Sequence, residues 1–211
     1  MPSEAVVHVV DDDMAVRQSL SFLLASDGLP VRLHESASAF LDNVKYASDG
    51  CIVTDVRMPG IDGIQFLRHL KNRGFTLPVI VMTGHADVPL AVEAMKEGAI
   101  DFIEKPFDDD IFLATVRAAL KRQEKHAHQD AQTAEVRSRA QGLSEREKQV
   151  LEGLVAGKAN KVIAYDLGIS PRTVEIYRAN VMTKMQASSL SELVRMALLV
   201  GVQPSGTGER P

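Results

Sequence analysis

Asp11, Asp12, Asp13 and Asp55 each stand where a short apolar run ends, after Ala5–Val10 and Cys51–Thr54 respectively. A third run, Val79–Met82, ends on Thr83, and a fourth, Ile100–Ile103, ends just before Lys105-Pro106. Short apolar runs separated by helix-length segments read as parallel strands of an open α/β sheet, whose sites lie beyond the carboxyl ends of the strands. One pocket would then collect acids, a hydroxyl and an ammonium. Carboxylates brought together repel one another unless a cation intervenes, and an all-oxygen donor set favours Mg²⁺. Asp12 and Asp55 are the best direct ligands, with Asp11 acting through water and the Arg57 carbonyl as a further oxygen. Beside such a cation Asp55 can attack phosphorus to give an aspartyl phosphate. Lys105 would neutralise the transferred oxygens and Thr83 would donate its hydroxyl to one of them. Asp13 is the exception, since its place suits a cap on the helix that follows.

The elements that must position these groups alternate over the first 120 residues. Strands are expected at 5–10, 31–33, 51–54, 79–82 and 100–103, with helices over 14–26, 37–44, about 64–70, 88–97 and 108–122. Five such units make a doubly wound, five-stranded parallel sheet of the flavodoxin-like kind, occupying residues 1–122. Residues 123–142 are good helix formers without an apolar stripe, which predicts a solvated helical linker. His126 and His128 fall there, two residues apart and so on different sides of a helix, as surface residues rather than metal ligands.

Residues 143–203 predict an all-α, four-helix domain. Ser144 and Glu147 form a capping box, Gly157 and Gly168 close the first two helices, and Ser170-Pro171 opens the third. Helix 160–167, a short Gly-containing turn and helix 171–185 make a helix-turn-helix. On the second helix Val174, Val181 and Met185 face the core, whereas Arg172, Glu175, Ile176, Ala179 and Thr183 face a major groove. Arg172 or Glu175 would read base edges, and Lys158, Lys161 and Lys184 would hold phosphates. Thr173 and Arg178 complete the DNA-binding candidates, Arg178 by snorkelling from the inward side toward the backbone. The fourth helix spans about 190–200, and the Gly/Pro/Ser-rich tail 204–211 is expected to be disordered.

Composition sets the outer bounds. A chain of 211 residues with 45 % hydrophobic and 25 % charged side chains can bury two ordinary cores. Residues 1–122 carry a net charge of −6 and residues 123–211 one of +2, so the halves suit different partners. No apolar run approaches the roughly 18 residues of a membrane span. One cysteine, Cys51 in a buried strand, excludes a disulfide framework, and a cytoplasmic protein with no membrane association is expected.

Val9-Val10-Asp11-Asp12, Thr54-Asp55-Val56-Arg57-Met58-Pro59-Gly60, Met82-Thr83-Gly84 and Lys105-Pro106-Phe107 resemble the receiver domain of bacterial two-component response regulators. The resemblance covers residues 5–120 and implies that Asp55 accepts phosphate from a phosphohistidine of a sensor kinase. It also implies that Thr83 follows the phosphoryl group and that Phe102 changes rotamer with it. Leu143–Glu147, Gly157–Lys161 and Leu167–Glu175 resemble LuxR-type output domains over residues 143–200, with Tyr177 in place of a common histidine. Together the modules resemble regulators of the FixJ type, and Val174–Met185 carries the resemblance into the nitrogen-fixation branch. That implies a haem oxygen-sensing kinase as partner, double-stranded promoter DNA as ligand and a homodimer when phosphorylated. An aspartyl phosphatase is the enzymatic rival; such enzymes carry an acid two residues after the nucleophile, where Arg57 stands, so only slow self-dephosphorylation is expected. A regulator whose helical domain binds protein instead of DNA is the other rival, against which Arg172 and Lys184 argue.

Overall fold

The computed structural model describes residues 5–43, 49–84 and 88–203 and divides into two compact units, Met1–Ala127 and His128–Pro211. In the first unit strands β1 (Val6–Val10), β2 (Val31–His34), β3 (Gly50–Asp55), β4 (Val79–Thr83) and β5 (Asp101–Glu104) alternate with helices α1 (Met14–Ser26), α2 (Ala37–Asn43), α3 (Gly63–Asn72) and α4 (Val88–Glu97). Helix α5 (Asp109–Gln141) follows β5. The sheet is parallel throughout, in the order β2-β1-β3-β4-β5. This is the expected flavodoxin-like order, which reverses direction at β1 and opens a crevice between the carboxyl ends of β1 and β3.

Every residue of β3 and β4 is buried, because helices cover both faces of the central strands. One core holds Phe40, Phe66, Val81 and Ala94, and the other Leu20, Leu24, Phe112 and Val116. Cys51 is fully buried, and burial pushes its thiol up to about 12, as an inert packing group.

A pair of buried imidazoles, unannounced by any local pattern, lies between β1 and β2. His8 on β1 and His34 on β2 lie 3.1 Å apart, Nδ1 to Nε2, against the Phe40 ring. Burial, with His34 and Arg32 adding positive potential, lowers His8 to about 4, and burial with Arg32 lowers His34 as well. A histidine held neutral in the folded state and protonated in the unfolded chain gives stability that is complete above about pH 6.5 and is lost as pH falls toward 4. The loss at His8 is about 2–3 kcal/mol. Asp11, whose carboxyl is raised by burial, works in the opposite sense and offsets part of it. Urea unfolding between pH 7.5 and 4.5 should show this slope, and a His8→Leu/His34→Leu variant should lack it. An equal slope in the variant would remove the histidines from the account.

The helical unit contains α6 (Glu145–Val155), α7 (Asn160–Leu167), α8 (Pro171–Met185) and α9 (Leu190–Leu199). Their ends follow the local chemistry. Ser144 and Glu147 form the capping box, Gly168 takes φ 65° at the end of α7, and Ser170 accepts from the Thr173 amide with Pro171 at the first helical position. Val150, Leu151, Ile163, Val174, Val181, Met185 and Leu193 fill the core. The stretch read as a solvated linker, 123–142, is continuous with α5, and its last turns pack into this second core: Val136 is 3 % exposed. A lone valine with Ala140 is too sparse a stripe to show in the sequence. His126 and His128 are both exposed. Val44 at the expected end of α2 and the tail 204–211 lie outside the described residues.

Candidate functional site: an acid–lysine pocket and a helix-turn-helix

The register of the sheet builds the pocket. Val10 pairs with Thr54, so the next residue on each strand, Asp11 and Asp55, leaves the sheet on the same edge at the switch point. Thr83 pairs with Glu104, which brings Lys105 to the same edge. The Lys105 amide donates to the Thr83 carbonyl at 2.7 Å, fixing the lysine's backbone to the end of β4.

The Lys105 Nζ then donates to Asp11 Oδ2 at 2.9 Å and to Asp55 Oδ1 at 2.8 Å. The other oxygens are also engaged: Asp11 Oδ1 accepts from the Asp13 amide at 2.9 Å and Asp55 Oδ2 from the Arg57 amide at 2.7 Å. Asp11 is 1 % and Asp55 8 % exposed, so the Asp55 carboxylate sits at the mouth and that of Asp11 behind it. Burial holds the Asp11 carboxyl above its ordinary value despite the bonds from Lys105 and the Asp13 amide. Burial alone would lower Lys105, but the two carboxylates outweigh it and raise the ammonium, which stays charged.

Thr83 is 1 % exposed at the end of β4. Phe102 is half-buried and leans on the core that includes Val81 and Ala94. Asp13 caps α1, accepting from the amides of Ala15 and Val16, as its position implied. Two features differ from the sequence reading. The acids form a buried pair on a lysine and not a trio: Asp12 is exposed, and no group of three or more His, Cys, Asp or Glu side chains arranged for a metal occurs among the described residues. Arg17, unremarked in the sequence, donates to the Asp11 carbonyl at 2.6 Å and steadies the acidic turn.

In the helical unit Arg172, Glu175, Ile176 and Ala179 are exposed along one side of α8, opposite buried Val174, Val181 and Met185. Arg178 is half-buried and lines a crevice of about 530 Å³ with Lys158, Lys161, Pro171 and Glu175. The start of α7 opens on this crevice, and its N-cap, Ala159, supplies no side-chain bond to the first amides. Thr173 shares a 2.8 Å hydroxyl bond with Ser170 and belongs to the cap of α8. Lys158 is bonded to Asp166 at 2.8 Å. Lys184, placed with the phosphate contacts by sequence, instead binds the buried Glu147 carboxylate at 2.7 Å and ties α8 to α6. That lysine and the Ser144 amide and hydroxyl hold Glu147 below the usual carboxylate range. A glutamate in a capping box normally faces solvent, so sequence offered no reason to look for its cation.

Residues 7–117 match the family model of the response regulator receiver domain, and residues 141–197 that of the bacterial regulatory proteins of the luxR family. The chain belongs to the response regulators of the FixJ type. It is 64 % identical over 205 residues to the transcriptional regulatory protein FixJ of Azorhizobium caulinodans, covering 97 % of both chains. Identity to FixJ of Rhizobium meliloti is 52 %, over 96 % of this chain and all of that one. Among solved structures, full-length FixJ from B. japonicum is 54 % identical with a TM-score of 0.59, covering 94 % of this chain and 98 % of that one. The response regulator StyR, 36 % identical, reaches 0.82 over 93 % and 99 %. This regulator is therefore a phosphorylation-activated, DNA-binding transcription factor and not an enzyme in the usual sense. A receiver implies a sensor kinase as phosphodonor and generally requires Mg²⁺. No helix of the described residues is long and apolar enough to cross a membrane.

Proposed function

We propose that Asp55 is the phosphoacceptor, and the observation that supports this most is the sharing of one lysine ammonium by two buried strand-end carboxylates. An Asp55 carboxylate oxygen forms a bond to phosphorus as the bond from phosphorus to the donor imidazole nitrogen breaks, and the electron pair leaves with the imidazole. Lys105, already charged and aimed at the attacking carboxylate, neutralises the oxygens of the arriving group. The pocket suits one divalent cation, because Mg²⁺ takes one or two carboxylates and keeps water elsewhere. Asp12 and Asp55 with the Arg57 carbonyl would hold it directly, and Asp11 through water. When bound, the ion supplies further neutralisation of phosphoryl charge. With Arg57 exposed two residues after the nucleophile and no acid there, turnover is limited to slow self-dephosphorylation.

Thr83 then donates to a phosphoryl oxygen and Phe102 follows into the space it vacates. The exposed apolar residues Val92, Met95 and Ile111 on α4 and α5 become the contact between two receivers. Release of the output domain lets α9, with Leu198 and Leu199 exposed, pair two helix-turn-helix units on two half-sites. Differential interaction of ~3 kcal/mol shifts such an equilibrium more than a hundredfold. Lys158, Lys161 and Arg178 hold phosphates beside the open start of α7, where amides favour an anion. The regulator works in the cytoplasm, its donor a haem oxygen-sensing kinase and its targets nitrogen-fixation-type genes.

The test is acetyl phosphate treatment with Mg²⁺, followed by intact mass, sedimentation and DNA titration at two salt concentrations. A single added phosphate, a dimer, and affinity falling about 10³-fold between 50 and 200 mM salt are expected, the last for about six phosphate contacts. Phosphorylation without a change in sedimentation or DNA affinity would refute the activation scheme.

A further inference from the structure

The exposed face of α8 holds one polar side chain that none of the assignments above uses. Val174, Val181 and Met185 fix the buried side of this helix. At about 100° per residue the middle of the opposite face passes between Arg172 and Ile176, and Asn180 lies about 60° from that line. Glu175 lies about 80° from it and Arg178 about 140° away. Asn180 is therefore better aimed at a groove than either, and it is exposed where Arg178 is half-buried.

Its neighbours on the face sharpen the point. Ile176 and Ala179 offer only apolar surface, and the Thr183 hydroxyl is bonded to the Ala179 carbonyl at 3.0 Å. Arg172, Glu175 and Asn180 are left to carry directional hydrogen bonds. Asparagine is also a poor choice for the third turn of a 15-residue helix on propensity alone, since alanine or lysine there would cost less. No hydrogen bond to another described residue explains it.

We propose that Asn180 is a specificity-determining residue that reads an adenine in the major groove. Its carboxamide presents one donor and one acceptor side by side, complementary to adenine N7 and N6–H₂. Ile176, one turn earlier on the same row, abuts the neighbouring base and fixes the depth at which the amide enters. The inference rests on the DNA-binding reading of α8 and names the base that this part of the helix recognises.

The experiment uses the full chain phosphorylated with acetyl phosphate and a pool of randomised duplexes. Wild type should select sites with a fixed A·T pair in each half-site, and changing that pair to G·C should weaken binding about tenfold or more. Asn180→Ala should lose the preference at that pair alone, keep the others, and retain wild-type affinity for non-selected duplex. Asn180→Gln, whose longer amide has the same donor and acceptor, should keep part of the preference. An unchanged preference in Asn180→Ala would overturn the proposal, and so would uniform weakening on every duplex, which marks a phosphate contact. Failure of wild type to select any sequence would instead remove the DNA-reading role of α8 itself.

Discussion

Asp55→Asn should take up no phosphate from acetyl phosphate and should show neither dimerisation nor gain in DNA affinity on treatment. The substitution is nearly isosteric and removes the attacking anion while leaving an oxygen to accept from the Arg57 amide. Lys105 keeps Asp11 as a partner at 2.9 Å, so no buried cation is left alone and the fold should change by about 1 kcal/mol or less. Loss of phosphorylation with the fold intact is thus the expected outcome, read by intact mass and by circular dichroism on the same sample. Lys105→Met makes the contrast. It strands two carboxylates, one of them 1 % exposed, without their cation, and should cost stability as well as phosphorylation, by about 3 kcal/mol. An Asp55→Asn protein that still bound DNA more tightly after treatment would sink the assignment, because the phosphate would then sit elsewhere.

Most of the pocket was legible because strand ends are easy to find. An apolar run of four to six residues followed by a polar or charged group marks the edge of a parallel sheet, and four such edges name Asp11, Asp55, Thr83 and Lys105 together. The helical unit was legible for a related reason: Ser144, Gly168, Ser170 and Pro171 each have a capping role that follows from one residue's own chemistry. What escaped depends on pairs of residues distant in the chain. Glu147 and Lys184 are 37 residues apart, and His8 and His34 are 26 apart, so neither pair has a local signature. The exposed place of Asp12 escaped for another reason. Sequence says that Asp11, Asp12 and Asp13 leave β1 in succession, but successive residues of an extended turn point in different directions. One goes inward to Lys105, one to solvent and one onto the helix start. Asn180 is the converse case, since its place on α8 follows from helical spacing alone once Val174 and Val181 define the inner side.

Gly63 shows how a residue of no apparent chemistry governs the pocket, and Gly63→Ala should be among the most damaging single changes in the receiver. The residue opens α3, its amide donating to the Val56 carbonyl at 2.8 Å, and it lies flat against the chain that has just carried Asp55. A β-carbon added there would stand 2.5 Å from the Asp55 carbonyl oxygen and 2.9 Å from the Val56 Cα. Both are backbone atoms, with no flexible side chain to swing aside, so either α3 retreats from the sheet or the end of β3 moves. Retreat unpacks Ile64, Phe66 and Leu67 from the core, and movement of β3 shifts Asp55 from Lys105. The expected cost is about 3 kcal/mol in urea unfolding, at the upper end for a small overpacking change, together with slower phosphorylation from acetyl phosphate. A control distinguishes crowding from a loss of glycine flexibility. Gly60 has φ 81° and open space around its missing β-carbon, so Gly60→Ala should strain the turn locally without moving Asp55. Equal phosphorylation rates in wild type and Gly63→Ala would show that the close approach of α3 does not set the position of the acceptor.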